Sequence, residues 1–199
     1  MNLPCFLILF SFLLTVVQEQ SVSNYYELEV VSYWQFEQFI SSTDYVTDAE
    51  KYRWSFVQDD VFSYQIVEGA NWRKPDGINV PHSTKLPVTQ ISYNDAIAYC
   101  EWSNSRLPSY EEYWELIKGD NRKVVTNRND DISEIECVNI LGNVWEITST
   151  TLGDSTRVAG GSLFCSNEPC HGTSINRELY VDKQTGNIHI GFAVLRKRK

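Results

Sequence analysis

Positive charge is what this sequence has least of. Seventeen Lys and Arg stand against 26 Asp and Glu, a formal net charge of −9. Phosphate binding needs a basic surface, so the balance argues against a nucleic-acid partner. The basic end, Arg196-Lys-Arg-Lys199, reads as a solvated tail. Histidine is scarce too: His82, His171 and His189 are scattered and form no recognisable ligand set. That weighs against a metal centre built from histidines. There is one Met, no N-x-S/T sequon, no internal repeat, no low-complexity tract and no Gly-rich phosphate loop. The missing sequon gives no support for glycosylation and tilts towards a bacterial periplasm over a secretory pathway.

Aromatic residues, by contrast, are plentiful, with 6 Trp, 11 Tyr and 9 Phe in 199 residues. Hydrophobic residues make up 42%, enough for the core of one ordinary domain. That core is expected to be built from rigid plates whose NH and OH groups want partners. The acidic balance suits a soluble protein able to bind divalent cations.

Pro4 to Val17 is a nearly all-apolar run of 14 residues. Its length fits a signal-peptide core and is short for a membrane span, although no Lys or Arg precedes it. Residues 1–23 are therefore expected to be a signal peptide or an N-terminal anchor, with Ser21 and Ser23 near a cleavage point. Membrane contact is expected only through that segment if it stays uncleaved. The domain is 24–199, exported to a periplasm or secreted. Cys5 leaves with the leader, so Cys100, Cys137, Cys165 and Cys170 remain. In an oxidising compartment they allow two disulfides of undetermined connectivity.

Along the chain, Tyr25 to Val31 reads as a strand. Ser32 with Gln35 forms a capping box opening a helix that buries Phe36, Phe39 and Ile40. Thr47 caps a short turn before the strand WSFV, Trp54 to Val57. Asp59 to Pro87 is rich in turn residues and reads as irregular, packed loop around Trp72. Ser92 and Asp95 open a second long helix with Ala96, Ile97 and Cys100 inward, ending at Asn104-Ser105. Ser109 and Glu112 open another, with Tyr113, Trp114, Leu116 and Ile117 apolar and Gly119 as its stop. Strands are expected over Val138–Ile147, Arg157–Phe164 and Gly191–Arg196. Helices followed by short strands predict an α+β domain.

The chemistry converges on Val158 to Cys170, VAGGSLFCSNEPC. Gly160 and Gly161 allow backbone conformations that a Cβ forbids. Beyond them a turn-forming segment separates Cys165 from Cys170. Two thiols on one loop either close a disulfide or hold a soft ion such as Cu(I).

Several segments, in order, resemble the formylglycine-generating enzyme (sulfatase-modifying factor) family. They are YVTDAEKYRWSFV (Tyr45–Val57), VEGANWRKPDG (Val67–Gly77), PVTQISYNDAIAYCEWSNSRLPSYEEYW (Pro87–Trp114), GNVWEIT (Gly142–Thr148), Arg157 to Ser162, and Gly191-Phe192. The resemblance implies a C-type-lectin-related formylglycine-generating-enzyme fold with little regular secondary structure. It further implies an oxidoreductase that uses Cu(I) and O2 to convert a cysteine in a C-x-P-x-R motif of a substrate protein, such as an unfolded sulfatase, to formylglycine. It maps the family's copper-binding pair onto Cys165 and Cys170, and residues lining the thiol pocket onto Ser162 and Trp145. It assigns a structural Ca2+ to Asn139, Gly142, Val144 and Glu146, a set of hard oxygens on one tight loop. For each assignment there is a bland reading beside it: a disulfide, a core aromatic, a plain turn.

The sequence also departs from the family. It lacks the opening G-x-F-x-M-G strand and is short between Ile117 and Asn139, where Asp130 and Asp131 are poor substitutes for a second calcium loop. After Cys170 a run usually rich in arginine is His171-Gly-Thr-Ser-Ile-Asn-Arg177, and Pro169 stands where a tyrosine is usual. Cys100 matches a family cysteine whose partner position is Ile175, leaving it free or paired with Cys137. These departures keep a rival reading open, a lectin-like binding or scaffold protein of the same fold that has lost catalysis.

Overall fold

The computed structural model describes residues 22–58, 63–118, 141–164 and 175–198. A short 3-10 turn, Val22–Asn24, leads into β1 (Tyr26–Val30). The helices are α1 (Tyr33–Thr43), α2 (Asp48–Tyr52), α3 (Tyr93–Ser103) and α4 (Tyr110–Leu116). Each begins on a reciprocal capping box: Ser32–Gln35, Thr47–Glu50, Ser92–Asp95 and Ser109–Glu112. Each box satisfies two backbone donors that a helix start otherwise leaves open, and losing its cap costs about 1 kcal/mol. Helices α1 to α3 stop on left-handed residues, Asp44, Arg53 and Asn104.

The other strands are β2 (Trp54–Gln58), β3 (Tyr64–Glu68), β4 (Trp145–Leu152), β5 (Ser155–Ala159), β6 (Tyr180–Asp182) and β7 (Ile190–Lys197). Five of them form one mixed sheet in the order β1-β7-β4-β5-β6, with only β4 and β7 parallel. Strands β2 and β3 make a separate antiparallel ladder. Because β7 sits between two neighbours, its residues Ile190 to Leu195 are all buried and read as a continuous apolar run.

The fold is α+β, as expected, and several boundaries differ. The segment read as irregular contains β3, while β6 was not foreseen at all. Strand β4 starts at Trp145, after a turn in which Gly142 and Asn143 have positive φ. The strand expected to run to Phe164 ends at Ala159, since Gly160 and Gly161 have φ of 85° and 82°. Helix α4 closes at Leu116, with Ile117 as its cap, ahead of Gly119, which lies outside the described residues.

The core is a stack of aromatic plates. Phe36 meets Trp72, Tyr99 and Phe192 at ring-centroid distances of 5.4, 6.0 and 6.2 Å. Tyr99 therefore belongs to the inner face of α3 beside Ala96 and Cys100, while Ile97 is only partly buried. A second cluster under α4 joins Tyr110, Tyr113 and Ile117 to Val30, Ala159 and Ala193. Backbone bonds from Ser149 to Pro108 and from Tyr110 to the Thr150 hydroxyl fix α4 against β4. No helix among the described residues is long and apolar enough to cross a membrane.

Candidate active site

The candidate site is built where β4 and β5 leave the sheet. Register pairs Glu146 with Ala159. Beyond that pair the two chains stay together, as Gly142 N donates to Gly160 O at 2.8 Å and Leu163 N to Asn143 O at 2.9 Å. Positive φ at Gly142, Asn143, Gly160 and Gly161 provides the bends. Trp145 N donates to His189 O at 2.7 Å and brings in the approach to β7. The path therefore delivers Leu163 and Phe164, the residues just before Cys165, to one corner.

That corner opens on a cleft of about 480 Å3. Its walls include Pro75, Asp76, Asn143, Val144, Phe164 and His189. The His189 ring lies 4.3 Å from that of Phe164, and its Nε2 is 3.0 Å from the Gln58 carbonyl oxygen. His189 is buried, in keeping with a core histidine, and His82 is exposed on the rim. Asp76 is held ionised by its own loop. Burial opposes the charge, but bonds from the Asn79 and Ile78 amides and the Asn79 side chain outweigh it and lower its pKa.

Five of the eight residues singled out from sequence lie among the described residues, and they share this corner. Ser162 is buried and its Oγ accepts from Phe164 N at 3.4 Å. Trp145 is buried and belongs to the main core cluster, and it does not line the cleft. Val144 is on the cleft wall. Gly142 carries the turn, and Glu146 is fully buried behind it. Cys165, Cys170 and Asn139 lie outside the described residues, as do Cys137 and His171. Cys100 is a free, buried thiol, its pKa pushed up to about 11 by burial.

Glu146 is the most unusual group here. Tyr113 Oη donates to its Oε2 at 3.2 Å, whereas Oε1 has no hydrogen-bond partner among the described residues. Burial raises its carboxyl well above the usual range, against the lowering effect of the Tyr113 bond. A buried carboxylate oxygen in that state needs either a proton or a cation. Among the described residues no three His, Cys, Asp or Glu side chains gather as a metal cage. A cation here would depend on backbone oxygens beside the single carboxylate. Nothing in the sequence pointed to Tyr113 as the partner of Glu146, since 33 residues separate them.

The family described as sulfatase-modifying factor enzyme 1-like domain (FGE-sulfatase) matches residues 25–123. Over 109 residues the chain is 39% identical to a formylglycine-generating enzyme of Mus musculus, covering 46% of this chain and 29% of that one. It is 31% identical over 207 residues to the inactive C-alpha-formylglycine-generating enzyme 2 of Mus musculus, covering 76% of this chain and 66% of that one. This chain belongs to the formylglycine-generating enzyme family. Its matched part spans about a third of the length of the first of these relatives. The structure of PvdO from Pseudomonas aeruginosa superposes with a TM-score of 0.59 at 14% identity, over 87% of this chain and 80% of that one. At that identity the likeness speaks for the fold alone. The departures noted in the sequence thus sit on a family member, and the family match ends upstream of Cys165 and Cys170.

Proposed function

We propose that this family member is an oxidase that converts a cysteine of a substrate protein to formylglycine, with Cys165 and Cys170 as Cu(I) ligands. One observation carries the reading: the β5 exit path sets Phe164, the residue before Cys165, on the wall of the 480 Å3 cleft. In this reading a thiol pair that follows directly on Phe164 would meet a peptide in the cleft, which a structural disulfide does not require. The donor chemistry fits, since two thiolates suit soft Cu(I) and leave room for a third sulfur from the substrate. Copper, when bound, would supply O2 activation. The chain's own residues would shape the surroundings: Ser162 and Trp145 support the thiol loop, and the apolar wall of Val144, Leu163 and Phe164 excludes water.

The overall change breaks the substrate's Cβ–Sγ bond, forms a carbonyl and releases sulfide. O2 takes two electrons from the substrate and two from a thiol reductant, and one of its oxygens leaves as water.

We further propose that Ca2+ is held by Glu146 with oxygens of Asn139, Gly142 and Val144. The unpartnered Oε1 of Glu146 supports this, because a hard cation is the partner a buried carboxylate oxygen lacks. A sulfatase carrying C-x-P-x-R is the proposed partner, and the leader is proposed to export the domain.

A second reading has its own support. The relative that covers 76% of this chain carries the word inactive in its name. An inactive protein of this fold would bind peptide without oxidising it. The discriminating experiment incubates the copper-loaded chain with a C-x-P-x-R peptide, O2 and dithiothreitol, and weighs the peptide. Mass loss matching Cys-to-formylglycine, absent in Cys165→Ser, supports the oxidase. Peptide that binds and is recovered unchanged supports the scaffold.

A further inference from the structure

A second cleft, of about 340 Å3, lies on another part of the surface, between α1 and α3. Its lining includes Trp34, Gln38, Tyr99, Trp102, Ser103 and Arg196. It shares no lining residue with the candidate active site. Its volume is at the lower end of the range for small-ligand sites, about 300 to 1,000 Å3.

Two tryptophans on opposite helices flank this cleft, and both are open to solvent, Trp34 at 54% and Trp102 at 42%. Trp102 is braced from behind by Phe39 and Tyr99, with ring centroids at 5.7 and 5.6 Å. Trp34 has no ring partner among the described residues, and its backbone N is fixed to Thr84 O at 3.0 Å. Large apolar plates left half-exposed on capped, rigid helices make a preorganised contact surface rather than surplus core.

Between the indoles the surface is polar and uncharged in sum. Arg196 is paired with Glu29, which also accepts from Gln35 Nε2. Arg196 Nη2 also contacts the Oη of the fully buried Tyr99 at 3.4 Å, so the core holds the guanidinium from behind. Gln38 is exposed and has no hydrogen-bond partner among the described residues, offering both a donor and an acceptor.

We propose that this α1–α3 cleft binds a neutral saccharide. A pyranose has an apolar C–H face and a rim of hydroxyls that both donate and accept. The indoles match the face, and the Gln38 amide and the Arg196 guanidinium match the rim. The neutralised Arg196 disfavours an anion, and it is a poor neighbour for a cationic ligand. A proline-rich peptide would also use the indoles, but it presents carbonyl acceptors with few donors and would leave the Gln38 carbonyl unused.

The test titrates the full chain with chitotriose, mannotriose and cellotriose in turn, and with a polyproline peptide. Calorimetry and Trp fluorescence report binding. At least one trisaccharide should bind one-to-one and quench fluorescence. Affinity should fall about tenfold or more in Trp34→Ala and in Trp102→Ala, and less in Gln38→Ala. Trp34 is exposed, so Trp34→Ala should retain the wild-type circular dichroism and serves as the decisive variant. The proposal is overturned if no trisaccharide binds, if binding is unchanged in Trp34→Ala, or if the polyproline peptide alone binds there.

Discussion

Tyr113 on α4 donates its hydroxyl to Glu146 on β4 across 3.2 Å, and this bond joins the two halves of the chain at the back of the candidate site. It satisfies one carboxylate oxygen and leaves the other without a hydrogen-bond partner among the described residues.

Calcium dependence follows from that unpartnered oxygen. Adding Ca2+ to chelator-treated protein should raise the melting temperature, by about 2.7 kcal/mol of stability at a hundredfold excess over Kd. Glu146→Gln should abolish the shift. Its stability without calcium should match or exceed wild type, because a neutral amide removes the buried carboxyl. Tyr113→Phe should keep the shift while losing about 1–2 kcal/mol in both buffers. Differential scanning calorimetry with and without chelator checks all three. An equal calcium shift in Glu146→Gln would refute the assignment.

The joint between α2 and α3 sets the acid behaviour. Asp95 is fully buried and accepts from the Ser92 and Asp48 amides and from Tyr45 Oη. Burial, reinforced by Asp48, raises its pKa from 3.8 to about 6, against those amide bonds. The folded state therefore holds this proton more tightly than the unfolded chain. Its stabilising contribution is complete below pH 3.8 and is lost as pH rises to about 6. Asp48 works in the opposite sense and at lower pH. Burial opposes its charge, but bonds from Lys51, Ser92 and Asn94 outweigh this and lower its pKa, so its contribution is lost as acid protonates it. Asp95→Asn should flatten the loss between pH 4 and 6 by about 2–3 kcal/mol in urea titrations. It should also lower stability at acid pH, because an amide NH2 would face backbone donors.

Two glycines are fixed by close approach. A Cβ on Gly186 would lie 2.6 Å from the Gln90 carbonyl, and one on Gly191 would lie 2.5 Å from Val88 O. Both obstacles are backbone. Gly186→Ala and Gly191→Ala should each lose about 1–3 kcal/mol or more by thermal melting. Gly153→Ala meets no atom within 4 Å and carries only the strain of its positive φ, so it should lose less.

Cys100 should be inert. Burial holds its thiol up at about 11, and it is free. Iodoacetamide followed by peptide mapping should leave it unlabelled in native protein and label it fully in guanidinium. Labelling in the native state would contradict its burial.

What could be read in the sequence was local. The boxes Ser32–Gln35, Ser92–Asp95 and Ser109–Glu112 each span four residues, and they and the Thr47 cap open their helices as read. Strand β1 and the WSFV strand declared themselves through aromatic and β-branched runs. Strand β3 did not, because Tyr64 to Glu68 is exposed almost throughout and shows no buried alternation. Strand β6 has three residues and no pattern to read. The GNVWEIT stretch was recognisable as a motif, yet its strand start was misplaced. Only the folded chain shows Asn143 at φ 64°, and only it pairs Glu146 with Tyr113. The α1–α3 cleft likewise joins residues from three distant elements, so its two indoles could not be connected from spacing.

The central claim is that Cys165 and Cys170 form a copper site. The direct measurement is Cu(I) titration of the reduced, folded chain against a calibrated chelator, alongside Cys165→Ser and Cys170→Ser. The account predicts tight one-to-one binding that is lost in both variants. Reduced, folded protein that leaves all the copper with the chelator would contradict it.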